Sequence, residues 1–141
     1  MMSDMKKLNE ARLELRGSVR CVAYNENGLH TSNEKGLLPL INWLEGDPDF
    51  LRGASVADKV VGRAAAMIMV YAGVCEVYAS VISDAALELL KSEGIACTYS
   101  MTCIAISNRR GDGICPMERA VSRIRDPKEA FEVLKEKVLS N

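Results

Sequence analysis

The chain contains a single histidine, His30, and this scarcity removes most catalytic arrangements that depend on an imidazole. Its five cysteines are an odd number, they are widely spaced, and no two of them form a C-x-x-C pair. Neither a disulfide framework nor a four-ligand zinc site follows from that pattern. A Ser-His-Asp or Cys-His arrangement would need His30 itself, which we expect to be structural or to lie at the surface.

The chain also lacks an excess of charge and a long apolar run. Its formal net charge is -1, whereas a general nucleic-acid binder would show a basic excess or a basic stripe, so we expect no nucleic-acid partner. The longest apolar stretch, Ala64 to Ala72, is far too short to cross a bilayer, and the charged N-terminus has no apolar segment of signal-peptide length. We therefore expect a cytoplasmic protein with no membrane partner.

What the sequence does contain is an ordinary globular composition. Hydrophobic residues make up 48% of the 141 positions and charged residues 26%, which are close to the averages for globular proteins. The length is near the commonest size for one domain and is sufficient to bury a core. We therefore expect one domain that spans residues 1–141.

The first half of the chain shows two helical patterns separated by a hairpin. Apolar residues recur at helical spacing in residues 4–16 and again from Leu37 to Leu44. Between them, Ser18 to Tyr24 and Leu29 to Ser32 have β-type patterns on either side of turn residues. This order predicts a helix, a β-hairpin and a second helix.

The stretch from Ser55 to Val81 joins the most apolar helix pattern in the chain to its most continuous strand pattern. Ser55 followed three residues later by Asp58 has the form of a reciprocal helix cap, so we predict that a central helix begins at Ser55. Apolar residues continue nearly all round to Ala72, as expected of a covered helix. Val74 to Ile82 then predicts a buried strand.

A βαβ unit is predicted next. Ser83 or Asp84 can cap a helix that leads to a strand at Ile95 to Tyr99, and the two strands of such a unit are parallel. Because ligands gather at the carboxyl ends of parallel strands, the corner Ile82 to Asp84 is a candidate site. Met101 to Ser107 predicts a last strand.

Two short helices complete the predicted order. Pro116 suits the first position of a helix, and Asp126 with Pro127 marks the start of the last one. The order of elements predicts an α/β fold.

Three strings together resemble a known family: DKVVGRAAAM, EVYASVIS and NRRGDGICPMERAV. The chain resembles the prokaryotic proteins catalogued as domain of unknown function 1893 over essentially its whole length, and GxCPMExAV is the most specific part. The resemblance implies a cytidine-deaminase-like fold, that is, a three-layer α/β/α sandwich with a mixed sheet. It implies no established biochemical role.

Zinc deaminases place a His or Cys and a catalytic Glu at the start of the helix after the first hairpin, and P-C-x-x-C at the next strand-to-helix corner. We expect these places near residues 58–63 and 83–87, where neither a histidine nor a cysteine stands. A zinc ion with an activated water needs three protein ligands. We therefore predict no metal site, no cofactor and no zinc-dependent deamination.

Two cations in the predicted central helix indicate an anion. Lys59 and Arg63 would share one face near the N-terminus of that helix, where positive charge opposes the helix dipole. An internal carboxylate such as Asp58 would satisfy them, and so would a phosphate or carboxylate ligand at the sheet edge. The ligand hypothesis joins Asp58, Lys59 and Arg63 to Ser83 and Asp84 in one site for a small anionic, possibly nucleotide-like, molecule.

The loop from Asn108 to Gly113 is a second candidate for anion binding. It is short and contains glycine, and its backbone could form an anion-binding concavity beside Arg109 and Arg110. The alternative is that both arginines are simply solvated in an exposed turn. Asn108 and Arg109 are therefore candidate ligand-binding residues.

Cys115 is the best candidate nucleophile. It precedes Pro116 and is predicted at a helix N-cap, a place that favours the thiolate, with Glu118 close by. The alternatives are a small buried thiol and a Glu118 that only completes a helix cap, because the sequence identifies no base. The other cysteines lie in strand patterns and are predicted in the core.

These patterns leave three hypotheses open: a binding domain for a small anionic metabolite, an enzyme that uses Cys115 and Glu118, and an oligomerising structural or regulatory module. Self-association is expected in any of them, because related folds oligomerise and exposed apolar surface would need cover.

Overall fold

The structure, a computed structural model, describes residues 4–140. These residues contain six helices and five strands. In chain order they are α1 (Asp4–Glu14), β1 (Cys21–Asn25), β2 (Gly28–Ser32), α2 (Leu38–Gly46), β3 (Ser55–Val61), α3 (Arg63–Ala72), β4 (Glu76–Ser83), α4 (Asp84–Ser92), β5 (Ala96–Cys103), α5 (Pro116–Ala120) and α6 (Pro127–Leu139).

The five strands form one mixed sheet in the order β2-β1-β3-β4-β5. β1 pairs antiparallel with both β2 and β3, whereas β3, β4 and β5 run parallel. The predicted hairpin and the predicted parallel βαβ unit are both confirmed. A second βαβ unit, β3-α3-β4, precedes the predicted one, so that two helices begin at the carboxyl edge of the parallel strands.

Both faces of the sheet are buried, because alternate strand residues belong to two different apolar clusters. Val22, Ala57 and Tyr78 pack with Leu8 and Ala11 of α1. Their neighbours on the other face pack with residues of α2, α3, α4 and α6; these strand neighbours are Cys21, Ala23, Val56, Val77 and Ala79. Helices therefore cover both faces of the sheet, which makes an α/β fold with three layers.

α3 is the most buried helix of this architecture. Seven of its ten residues are buried, and it contacts α2, α4, α5 and α6. Gly73 ends it in the left-handed conformation, with φ 79°, as expected of a glycine at a helix C-terminus. The prediction of a covered, nearly all-apolar central helix is confirmed.

The predicted start of that helix at Ser55 is wrong, because Ser55–Val61 is a strand and α3 begins at Arg63. β3 has a paired strand on each side and is covered on both faces, so four consecutive residues from Ser55 to Asp58 are buried. A strand buried on both faces shows no alternation of polar and apolar residues, and its pattern cannot be distinguished from that of a buried helix.

The last two predicted strands are also corrected. Ile95 to Tyr99 and Met101 to Ser107 are not separate strands, because Ala96–Cys103 forms the single strand β5. β5 is an edge strand, and Tyr99 and Met101 in it are 43% and 62% exposed.

No helix between residues 4 and 140 is both long enough and apolar enough to span a membrane.

Candidate functional site

The N-terminus of α3 is capped by a carboxylate from a distant part of the chain. Gly62 precedes the helix and has no side chain with which to cap it. Glu118 of α5 supplies the cap, since its Oε1 accepts a hydrogen bond from the Arg63 N–H at 2.7 Å and its Oε2 one from the Ala64 N–H at 2.6 Å. A carboxylate at this end of a helix is favourable for the helix dipole as well as for the unpaired N–H groups.

Gly62 provides the room for this carboxylate. A Cβ at position 62 would lie 2.1 Å from Oε1 of Glu118 and 2.7 Å from a side-chain carbon of Ile106. Both distances are shorter than any van der Waals contact, and so any other residue at position 62 would displace Glu118.

The side chain of Arg63 is fixed by the segment that follows α5. Its Nη1 donates to the carbonyl of Val121, and its Nη2 donates to the carbonyl of Ile124 at 2.6 Å. We refer to residues 115–125 as the C-terminal segment. Arg63, the first residue of α3, binds this segment twice, by its backbone N–H and by its guanidinium group. Arg63 as a whole remains partly exposed to solvent.

A cavity of about 120 Å³ lies beside this contact, at the starts of α2 and α3. Glycine and apolar residues form most of its wall, with Cys115 and Glu118 as the exceptions. We refer to it as the apolar recess. Cys115 and Glu118 thus share one cavity, but both oxygens of Glu118 already accept hydrogen bonds, and no histidine stands in the wall.

Cys115 occupies the predicted N-cap position of α5, a helix of five residues. Its side chain is half-buried and makes no capping hydrogen bond. The nearby Glu118 caps a helix, though not the helix that the sequence pattern suggested. The only histidine lies elsewhere: His30 contacts the amide of Asn25 at 3.1 Å and the ring of Phe50, so its surroundings are structural. A nucleophilic role for Cys115 stays a prediction, without a base.

Lys59, the second cation of the predicted anion site, lies in a different element from Arg63. Lys59 lies in β3, and its Nζ donates to the carbonyl of Gly17 after α1, at 2.9 Å. Lys59 and Arg63 therefore do not share a helix face. Both cations nevertheless have hydrogen-bond acceptors within the chain, and these are main-chain carbonyls where the sequence suggested a carboxylate.

Asp58 is buried in the sheet opposite Cys21 of β1. Its Oδ1 accepts a hydrogen bond from the Lys59 N–H at 2.9 Å, and the Cys21 thiol is a further donor. No cation pairs with it within residues 4–140. Burial raises the pKa of Asp58 to about 7, although these hydrogen bonds oppose the shift. Asp58 is thus an internal carboxyl group of strand β3 and does not cap a helix.

The corner at Ser83 and Asp84 is confirmed as a strand-to-helix corner. Ser83 is the N-cap of α4, and its Oγ accepts a hydrogen bond from the Ala86 N–H at 3.2 Å. Burial raises the pKa of the neighbouring Cys103 thiol, and the carboxylates of Asp84 and Glu118 raise it further.

The N–H groups of the loop at Asn108 form hydrogen bonds within the loop itself. The side-chain oxygen of Asn108 accepts hydrogen bonds from the N–H groups of Gly111 and Asp112, at 2.8 and 3.3 Å, and its Nδ2 donates to Asp112. These N–H groups already have an internal acceptor. Arg109 and Arg110 are exposed on this turn.

A site that the sequence patterns did not indicate lies on the other side of Arg63. A groove of about 540 Å³ is lined by Arg63, Leu89, Ser122, Arg123 and Arg125, and we refer to it as the arginine groove. No ion pair within residues 4–140 involves any of these three arginines. The only sequence signal was the R-x-R spacing of Arg123 and Arg125, which a solvated turn would show equally well.

The fold also changes where zinc ligands would be sought. The helix after the first hairpin is α2, and the next strand-to-helix corner is Val61 to Arg63, so the expected places at residues 58–63 and 83–87 each lay one element too late. The starts of α2 and α3 read Gly36-Leu37-Leu38-Pro39 and Gly62-Arg63-Ala64, without histidine or cysteine. Within residues 4–140 no group of three or more His, Cys, Asp or Glu could hold a metal ion.

Comparison with known proteins gives a family and a fold. Residues 10–138 match the profile of a family described as a domain of unknown function, DUF1893. The crystal structure of the DUF1893 family protein TM1506 from Thermotoga maritima is similar, with a TM-score of 0.85 and 26% sequence identity over 96% of this chain and 92% of that one. No curated protein matches the chain.

The close contact between Gly62 and Glu118 predicts that a methyl group at position 62 lowers the stability of the protein. Gly62→Ala should destabilise the protein by about 2 kcal/mol or more, because the carboxylate must leave two N–H groups that then lack a partner. Gly46→Ala is the matched control, since a Cβ there meets nothing within 4 Å. Urea unfolding measures both changes in stability.

A double mutant tests whether Glu118 is the cause. In a Glu118→Ala background the clash with the carboxylate is gone and only the contact with Ile106 remains, so Gly62→Ala should cost less than it does alone. Equal costs in the two backgrounds would show that Gly62 is required for another reason.

The buried carboxyl of Asp58 predicts a dependence of stability on pH. Its pKa is about 7 in the folded chain and near 3.8 in the unfolded chain, so the folded state binds the proton more tightly. The contribution of the Asp58 carboxyl to the free energy of unfolding is therefore fully present below about pH 4 and is lost as the pH rises towards 7. Asp58→Asn should gain stability relative to the native chain between pH 5 and pH 8, by up to a few kcal/mol.

Urea unfolding at the two pH values, with Glu26→Gln in an exposed turn as the control, measures this difference. A stability difference between Asp58→Asn and the native chain that is the same at pH 5 and pH 8 would contradict the prediction.

Proposed function

Because this chain belongs to the DUF1893 family, whose description names no activity, we propose a function from the geometry of its own surface. We propose that it is a domain that binds a small anionic molecule in the arginine groove. The scaffold is cytidine-deaminase-like and lacks zinc ligands at the starts of α2 and α3.

The observation that carries this proposal is the state of Arg63. Arg63 is partly buried, and two main-chain carbonyls hold its guanidinium group in place without neutralising its charge. A cation that is partly buried loses hydration, and without a neighbouring carboxylate no ion pair offsets that loss. A ligand anion in the groove would complete it, and the fixed guanidinium would bind that anion without losing side-chain freedom.

The neighbours of Arg63 favour the same class of ligand. Arg123 and Arg125 add two positive charges, Ser122 adds a hydroxyl group, and no carboxylate stands among the five lining residues. Guanidinium groups bind phosphates and carboxylates in bidentate fashion. A volume of about 540 Å³ is within the usual range for a metabolite site.

The groove is a better place for an anion than the site predicted from the sequence. Asp58 is buried, Lys59 binds the residue after α1, and Ser83 is engaged as the cap of α4. Arg63 is the one residue of that predicted set that keeps a role. A nucleotide-like ligand is suggested only by the resemblance of the scaffold to cytidine deaminases.

Substitution of the two outer arginines tests the groove. Arg123→Ala with Arg125→Ala should weaken the binding of pyrophosphate or ADP about tenfold or more, because each charge-assisted hydrogen bond contributes about 1.5–3 kcal/mol. The matched control is Arg109→Ala with Arg110→Ala in the exposed loop. Isothermal titration calorimetry at two salt concentrations measures the affinities.

Binding that is unchanged in the groove variant, or lost in the loop variant, would place the anion elsewhere. If none of pyrophosphate, ADP and inorganic phosphate binds the native chain at low salt, the proposal is wrong.

We also propose that the protein self-associates through β5. This edge strand has eight residues and contains neither a charged residue nor a proline, which are the usual protections of an open edge. Tyr99 and Met101 expose large apolar side chains on it, and Ile104 beyond its end is 88% exposed. The β5 strand of a second copy would pair with the open backbone groups and cover these side chains.

A charge on this edge should prevent the association. Met101→Lys is expected to turn a dimer into a monomer in light scattering, because pairing would bury the ammonium group. Met5→Lys is the control, since Met5 is 73% exposed on α1, away from the edge. A native chain that is monomeric at every concentration, or a Met101→Lys chain that still dimerises, would contradict this proposal.

A further inference from the structure

The carboxylate of Glu118 and the backbone of Cys115, both in the wall of the apolar recess, already have hydrogen-bond partners. Glu118 is the one charged side chain in it, and both of its oxygens accept N–H donors of α3. The backbone of Cys115 is satisfied as well, since its N–H donates to Ile106 and its carbonyl accepts from Arg119. A polar ligand would therefore lose part of its hydration in this mostly apolar recess and gain no hydrogen-bond donor from Glu118 or from the Cys115 backbone.

The charge of the recess excludes a second class of ligand. No lysine, arginine or histidine lines it, and the nearest charge is the carboxylate of Glu118. An anion would meet this carboxylate, and the two negative charges would repel each other. The anion that we propose for the arginine groove would thus be rejected here, so the two cavities differ in the ligands that they can bind.

The dimensions of the recess set the size of its occupant. Its volume is about 120 Å³, and a cavity of roughly 150 Å³ with an apolar lining stays dry and binds benzene. Entry is open, because Gly36 is exposed and Val60, at the end of β3, is 50% exposed. A ligand in the recess would cover the exposed part of this valine.

We propose that the apolar recess is a second binding site, which takes a small uncharged apolar molecule of about the size of benzene. Its contacts are the side chains of Val60, Ala65 and Met117, with the thiol of Cys115 at the wall. The binding is non-covalent, and it is independent of anion binding in the arginine groove.

Benzene is the probe, with benzoate as its charged counterpart of similar shape. Benzene should cause saturable NMR shifts of the methyl groups of Val60, Ala65 and Met117, and benzoate should not. It should also slow the alkylation of Cys115 by iodoacetamide at least threefold, while the alkylation of the exposed Cys75 keeps its rate as an internal reference.

A filled recess provides the control variant. Val60→Phe places a larger side chain at the mouth, and because Val60 is half exposed the chain should still fold. Benzene should then bind at least tenfold more weakly, whereas Val60→Thr, which keeps the shape, should change the affinity little. Shifts that do not saturate, or that persist in Val60→Phe, would overturn the proposal, as would equal binding of benzene and benzoate.

Discussion

The contact of Glu118 with the first turn of α3 is the constraint on which the rest of the arrangement depends. It joins residues that are more than fifty positions apart in the chain, and it is possible only because position 62 has no side chain. The same turn holds the carbonyls of Val121 and Ile124 through Arg63. The C-terminal segment is therefore attached to the start of α3, the most buried helix, at Glu118 and again at Val121 and Ile124.

This attachment explains why two unlike cavities lie so close together. The first part of the segment, with Cys115, Met117 and Glu118, forms a wall of the apolar recess, and the part after α5, with Ser122, Arg123 and Arg125, forms a wall of the arginine groove. Arg63 stands between them, with its N–H towards the first and its guanidinium towards the second. The composition of each cavity follows from which end of the segment lines it.

Much of the fold could be predicted from the sequence, and the error at β3 has a clear physical origin. Elements with a solvent-exposed face, such as the hairpin, α4 and α6, show clear periodicity, and their type and order were predicted correctly. β3 has no wet face, so its pattern resembled a helix, and Ser55 and Asp58 were interpreted as caps. The site followed the same rule: the strand-to-helix corner at Ser83 was predicted from local signals, whereas the partners of Arg63 and Glu118 are distant in sequence. No local pattern contains such pairings.

The buried carboxyl of Asp58 has a consequence for the electrical character of the whole molecule. Composition gives a formal net charge of -1 and an isoelectric point near 5.9, on the assumption that every aspartate is ionised at neutral pH. A carboxyl group that keeps its proton up to about pH 7 removes one negative charge from the folded chain over that range. The native protein should therefore migrate in an electric field as a more basic species than its own unfolded chain, although the two have the same composition.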